Sequence, residues 1–262
     1  MKTRLGQIKS SVPSEAYIAA FPGFQSATDT TLADVSGNAR HALFAGGLTA
    51  SEAWTTNSTA FSTLDTTVPD DAYIPLASWP YSWNNGDSLV LACRTKITAP
   101  GSTRNLFAQG YHSTNSQGFR LIIKATGVVA PWVYQAGGDK FLSDTVPAVA
   151  DGAYHSFMFA WFDHNVAAGT AKYMIWVDGV RAYASETMTT GLTTMTPVDD
   201  FRIGGNKTGA SAWQSTAAAF QGIHMLRSAS SKLWTYAALD DVALRLHRNP
   251  IRPLTATEFP AS

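Results

Sequence analysis

The chain reads as a succession of short apolar or alternating runs broken by Gly, Pro, Asn and Asp, with no long helical periodicity. The clearest runs cover 88–97, 119–126, 154–162, 172–177, 180–184, 201–203, 223–227 and 242–247, and each predicts a strand. Between 154 and 162 nearly every residue is large and apolar, so this strand is expected to be covered on both faces and central in its sheet. Asp178-Gly179 stands between two β-prone runs. A two-residue type I′ turn needs positive φ at both central positions, so this dipeptide predicts a hairpin. The spacing of the runs predicts an all-β, two-sheet antiparallel jelly-roll sandwich.

Length and composition place bounds on that fold. The 262 residues, 45% of them apolar, suffice for one large core, which the runs place in a single domain over 15–248. Residues 1–14 carry Lys2, Arg4 and Lys9 with few apolar groups and read as a basic arm, suited to docking on another protein subunit. Residues 249–262 open with Asn249-Pro250-Ile251-Arg252-Pro253, a stiff connector, and Thr255 with Glu258 has capping-box spacing for one helical turn. Nineteen basic residues balance nineteen acidic ones, which argues against a nucleic-acid partner. Three charges on the arm supply little phosphate affinity. No apolar window is long enough for a membrane-spanning helix, and the start lacks a signal-peptide pattern, so synthesis in a cytosol is expected. Cys93, the single cysteine, lies in an apolar run and reads as a small buried hydrophobe.

Four segments carry a family likeness. They are Asp34-Val35-Ser36-Gly37-Asn38 with His41; Asp71-Ala72-Tyr73-Ile74-Pro75 followed by the runs at 88–97 and 105–110; Asp151-Gly152-Ala153-Tyr154-His155 leading to Trp176-Val177-Asp178-Gly179; and Ile203-Gly204-Gly205, Phe220-Gln221-Gly222, then Leu239-Asp240-Asp241-Val242. In order and spacing these resemble the laminin G-like jelly roll of the concanavalin A-like lectin and glucanase superfamily, over roughly residues 30 to 247. The resemblance implies the same sandwich, with the last segment among its closing strands. Tyr154 departs from the family's frequent Trp, and 79–86 looks like an inserted loop.

Candidate chemistry is sparse. Glycanases of this scaffold need two flanking carboxylates. The four glutamates, Glu15, Glu52, Glu186 and Glu258, are scattered, and the pairs Asp70-Asp71, Asp199-Asp200 and Asp240-Asp241 would point to opposite faces of a strand. No catalytic residue is assigned and no enzyme is expected. His155, on the long central run, reads as structural. The family resemblance implies a Ca²⁺ site, for which Asp34, Asn38, Asp240 and Asp241 carry suitable oxygens; the alternative is an Asx turn at Ser36-Gly37. No cofactor is required. Exposed aromatic rings stack on sugar faces while amides take the hydroxyls. Trp79, Tyr81 and Trp83 with Asn84 and Asn85 form the main candidate contact cluster, and Trp132 and Trp213 are secondary candidates; a subunit contact is the competing reading.

These features lead to an expected role as a lectin-like structural or attachment component of a phage virion, made in the bacterial host cytoplasm. It would assemble with itself and other virion proteins and contact glycan. The alternative is a bacterial carbohydrate-binding module of a larger enzyme or surface protein. A glycanase is the third reading.

Overall fold

The computed structural model describes residues 17–22, 29–45, 48–54, 61–63, 71–78, 88–98, 101–109, 118–135, 138–141, 147–184, 188–189, 199–205, 218–228 and 235–254. Two antiparallel sheets form a sandwich, as the alternating runs predict. The first sheet has the order β1 (Tyr17–Phe21), β16 (Ala218–Ser228), β6 (Ser88–Thr98), β11 (Asp151–Asn165), β12 (Thr170–Val177) and β13 (Val180–Ala184). On it, β4 (Phe61–Thr63) pairs with β16, and β14 (Met188–Thr189) with β12. The second sheet runs β10 (Gly138–Phe141), β9 (Val129–Gln135), β8 (Gly118–Ile123), β7 (Arg104–Gln109), β15 (Phe201–Ile203), β5 (Ala72–Ile74), β3 (Ala42–Phe44), β2 (Thr31–Leu32).

The central strand β11 behaves as its composition demands. Phe157, Phe159 and Trp161 point into the core between the sheets, where Phe159 stacks on Phe119 at 4.9 Å between ring centroids. Met158, Ala160 and Phe162 point the other way, into a second apolar cluster. Cys93 lies buried in the inter-sheet core, and burial pushes its thiol well up from the ordinary range. The predicted hairpin is present. Val177 pairs with Val180, and Asp178 and Gly179 adopt φ of 51° and 77°.

The second cluster exists because the last predicted strand is a helix. Residues 242–247, expected as a strand, lie inside α2 (Tyr236–Arg248), so the reading of the closing segment is corrected. The physical signals agree with the helix. Leu239, Val242, Ala243 and Leu246 fall at i, i+3, i+4 and i+7 and are all buried against the first sheet. Thr235 caps the N-terminus by accepting from Ala238 N, and Arg245, His247 and Arg248 occupy the last turn, where cations suit the helix dipole. Burying the Leu and Val side chains contributes roughly 1.5–3 kcal/mol each. The described residues thus form three layers: helix, first sheet, second sheet. A short helix, α1 (Ala50–Ala53), opens with a Thr49–Glu52 capping box that the alternation had not marked.

Beyond α2 the chain stays on the body. Pro250 O accepts from His224 Nε2 at 2.6 Å, and Leu254 N donates to Tyr17 Oη at 2.9 Å. A side chain at Gly222 would overlap the Pro250 carbonyl oxygen, which is why that strand position is glycine.

Candidate ligand-binding face

The motif residues prove to be braces. Asp178 Oδ1 accepts from Ser156 N at 2.9 Å, its Oδ2 lies 2.8 Å from His155 Nδ1, and Asp151 Oδ1 lies 3.2 Å from His155 Nε2. The hydrogen bond to Asp178 chiefly, against the opposing effect of partial burial, raises the His155 pKa above the usual histidine value. For Asp178 itself, burial opposes the charge but is outweighed by the bonds from His155 and Ser156, so its carboxyl titrates lower than usual. Ser156 Oγ lies 2.6 Å from His247 Nδ1, and Asp178 Oδ1 lies 3.9 Å from that same nitrogen. With serine and carboxylate on one ring nitrogen, the imidazole is not placed to relay a proton between them.

The Asp71 and Ile203-Gly204-Gly205 segments also explain each other. Arg202 NH1 donates to the fully buried Asp71 Oδ1 at 2.9 Å, and a side chain at Gly205 would strike the Asp71 carboxylate. Gly204 holds φ of 81°, a left-handed conformation that favours glycine.

The residues singled out for calcium do not fit a cation. Asp34 Oδ1 accepts from Ala20 N and Ser36 N, and its Oδ2 from Ser36 Oγ and Arg40 N, all within 3.0 Å. Asn38 turns its amide nitrogen to Tyr17 O at 2.8 Å. The carboxylate therefore faces hydrogens, as the Asx-turn alternative requires. Asp240 and Asp241 sit on α2. Asp240 Oδ1 accepts from Trp176 Nε1 at 2.8 Å and its carboxylate pairs with Arg181, whereas Asp241 pairs with Arg245 at 2.6 Å. No group of three or more metal-ligating side chains that could hold an ion occurs among the described residues.

The outward face of the second sheet is where a predicted contact residue finds company. Phe119, Leu121, Val129 and Val133 face the core, so Arg120 and Trp132 face away from it. Pairing aligns Tyr73 with Arg202, Arg202 with Ala108, Ala108 with Arg120, and Arg120 with Trp132. The result is a cross-strand row, Tyr73–Arg202–Ala108–Arg120–Trp132, over five strands. Arg202 lies 4.7 Å over the Tyr73 ring, Arg120 is fully buried, and Trp132 is half-buried. Leu43, aligned with Tyr73, extends the row with an exposed apolar side chain. Sequence reading found Trp132 but missed Arg120 and Arg202. Their signal was a single arginine inside each of two apolar strands.

The other predicted contacts, Trp79, Tyr81, Trp83, Asn84, Asn85 and Trp213, and the arm residues Lys2, Arg4 and Lys9, lie outside the described residues. Their flanking residues are described. Segment 79–87 joins Ser78 to Ser88, at the start of β6, and segment 206–217 joins Gly205 to Ala218, which pairs with Ile97 near the other end of β6. These attachment points are about 30 Å apart along the strand. The described anchors Ser88 and Ala218 therefore lie toward opposite ends of β6.

No protein-family description and no characterised sequence matches the chain. Solved structures do. A Trypanosoma rangeli sialidase variant with trans-sialidase activity overlays 93% of this chain at a TM-score of 0.61 and 14% identity. The same organism's sialidase in complex with sialic acid overlays 92% at 0.56 and 16%. The chain spans about a third of those proteins, 34% of each. A carbohydrate-binding module of a Ruminococcus gnavus sialidase, bound to α2,3-sialyllactose, matches 61% of this chain and 83% of its own at a TM-score of 0.45 and 14% identity. The sandwich fold is shared with part of those sialidases. The expectation that the chain stands apart from enzymes is overturned by those matches, since the proteins that carry the same sandwich are enzymes.

Proposed function

We propose that this chain is a carbohydrate-binding module, the glycan-holding sandwich of a larger carbohydrate-acting enzyme or surface protein. The observation that carries this reading is the cross-strand row on the second sheet, Tyr73–Arg202–Ala108–Arg120–Trp132. The half-buried indole of Trp132 gives a sugar ring an apolar face to stack on, in a row braced from within by the enclosed Arg120 and the Arg202–Asp71 pair. The sandwich shared with sialidases, one of them solved with sialic acid bound, supports the reading.

A glycan array tests it. We expect the intact chain to bind at least one oligosaccharide class and Trp132→Ala to lose about tenfold in affinity, in line with one stacking contact of roughly 1–1.5 kcal/mol. An array without hits, or hits indifferent to Trp132, would remove the assignment. Use of such contacts in a phage virion, repeated over many copies of the chain, is a further proposal about setting. Sedimentation as a symmetric assembly is the result expected there, and a monomer at high concentration counts against it.

A further inference from the structure

The end of the sandwich at Ser78 and Ser88 carries two guanidinium groups with no carboxylate pairing them among the described residues. Arg40 is held there by backbone alone: Nε donates to Ser78 O at 2.9 Å and NH1 to Ile18 O at 2.7 Å. Strand register brings Arg227 to the same place. Tyr17 pairs with Leu226, so Arg227 follows immediately along β16, level with Leu89 at the start of β6. Met225 lies in the inter-sheet core, and Arg227, two residues on, shares its face at the rim.

Both arginines are half-buried. Arg227 forms no hydrogen bond or ion pair among the described residues. Asp34 lies behind Arg40, with both oxygens committed to Ala20, Ser36 and the Arg40 backbone. Burial first, and then the charge of Arg227, lower the Arg40 pKa from its usual value, against the opposing charge of Asp34. Asp34 offsets part of the repulsion between the two cations on the Arg40 side, and among the described residues no carboxylate pairs with either guanidinium group. A planar oxyanion accepting from both guanidinium groups would relieve that repulsion.

We propose that Arg40 and Arg227 form a binding site for the oxyanion of an acidic saccharide, its carboxylate or sulfate bridging the two guanidinium groups. This rests on the carbohydrate-binding reading and names the ligand class. The site is flanked by Ser78 and Ser88, the described neighbours of the segment that contains Trp79, Tyr81 and Trp83.

Calorimetric titration of the full chain with oligogalacturonate, sulfated dextran oligosaccharide and uncharged dextran oligosaccharide tests the proposal. We expect at least one charged saccharide to bind ten times tighter than dextran or better, more weakly as salt rises. Arg227→Glu should lose that preference and Arg227→Lys keep part of it. Arg227 is the residue to vary because it braces nothing, whereas Arg40 holds two backbone carbonyls; circular dichroism confirms that the variants are folded. Tight binding of oligogalacturonate alone identifies a carboxylate site, and of sulfated dextran alone a sulfate site. Binding of charged and uncharged sugars alike, or unchanged binding by folded Arg227→Glu, overturns the proposal while leaving Trp132-dependent glycan binding intact. Failure to bind any saccharide removes the parent reading and this one together.

Discussion

Asp178 closes the hairpin between β12 and β13 and at the same time holds His155, with Oδ2 at 2.8 Å from the imidazole Nδ1. Because Asp151 meets the other ring nitrogen at 3.2 Å, the doubly protonated ring donates to a carboxylate on each side. The Asp-Gly-Ala-Tyr-His and Val-Asp-Gly segments are thus two halves of one brace.

That brace gives a pH dependence with a definite sign. The folded-state pKa of His155 lies above its ordinary value, so the folded protein binds this proton more tightly than the unfolded chain. Its stabilisation is complete below the ordinary histidine value and is lost as pH rises through the elevated one. An NMR titration should place His155 above a free histidine, and Asp178→Asn should bring it down. His155→Ala should cost about 1–2 kcal/mol at pH 6 in urea unfolding, and less at pH 8.5.

His224 has the opposite sign. It is fully enclosed, and burial drives its pKa down to about 4 despite the bond to Pro250 O. A carbonyl only accepts, so Nε2 carries the hydrogen and the neutral ring takes the Tyr17 hydroxyl on Nδ1. Stability from this group is full above about 6.5 and is lost as pH falls toward 4, in total about 3 kcal/mol. His224→Gln should be less stable than the parent at pH 7 yet lose less between pH 7 and 4.5. Urea midpoints at the two pH values check this, and equal losses in both proteins would refute the assignment.

Asp240 fixes α2 to the first sheet through Trp176 and Arg181. Asp240→Ala leaves the nearly fully buried Trp176 indole N–H without an acceptor and should cost about 2–3 kcal/mol in urea unfolding, with a change in tryptophan emission. Asp240→Asn, which keeps an acceptor for the indole, should lose less. A neutral alanine variant would mean that apolar packing alone seats the helix.

Much of the sandwich was legible because alternation and length carry it. The run at 154–162 declares a strand buried on both faces, and Asp178-Gly179 declares its turn. The helix was not read because Leu239-Asp240-Asp241-Val242 matched a closing-strand pattern, and a short apolar run cannot be assigned by periodicity alone. Extending the window to Leu246 and to the Thr235 cap would have shown the 3.6-residue spacing. The candidate face was less legible still. Arg202 and Arg120 fall in one row, either side of Ala108, only because β7 pairs with both β15 and β8, and the β15–β7 register joins distant segments that no local pattern encodes. Asp240 was misassigned for a related reason: its partners, Trp176 and Arg181, lie 64 and 59 positions away.

The bond from Leu254 N to the Tyr17 hydroxyl has an architectural corollary. Tyr17 and Leu254 both belong to the apolar cluster beneath α2, so the described chain enters and departs on the helical flank of the molecule. The described chain thus begins and ends on the flank opposite the face that carries Trp132.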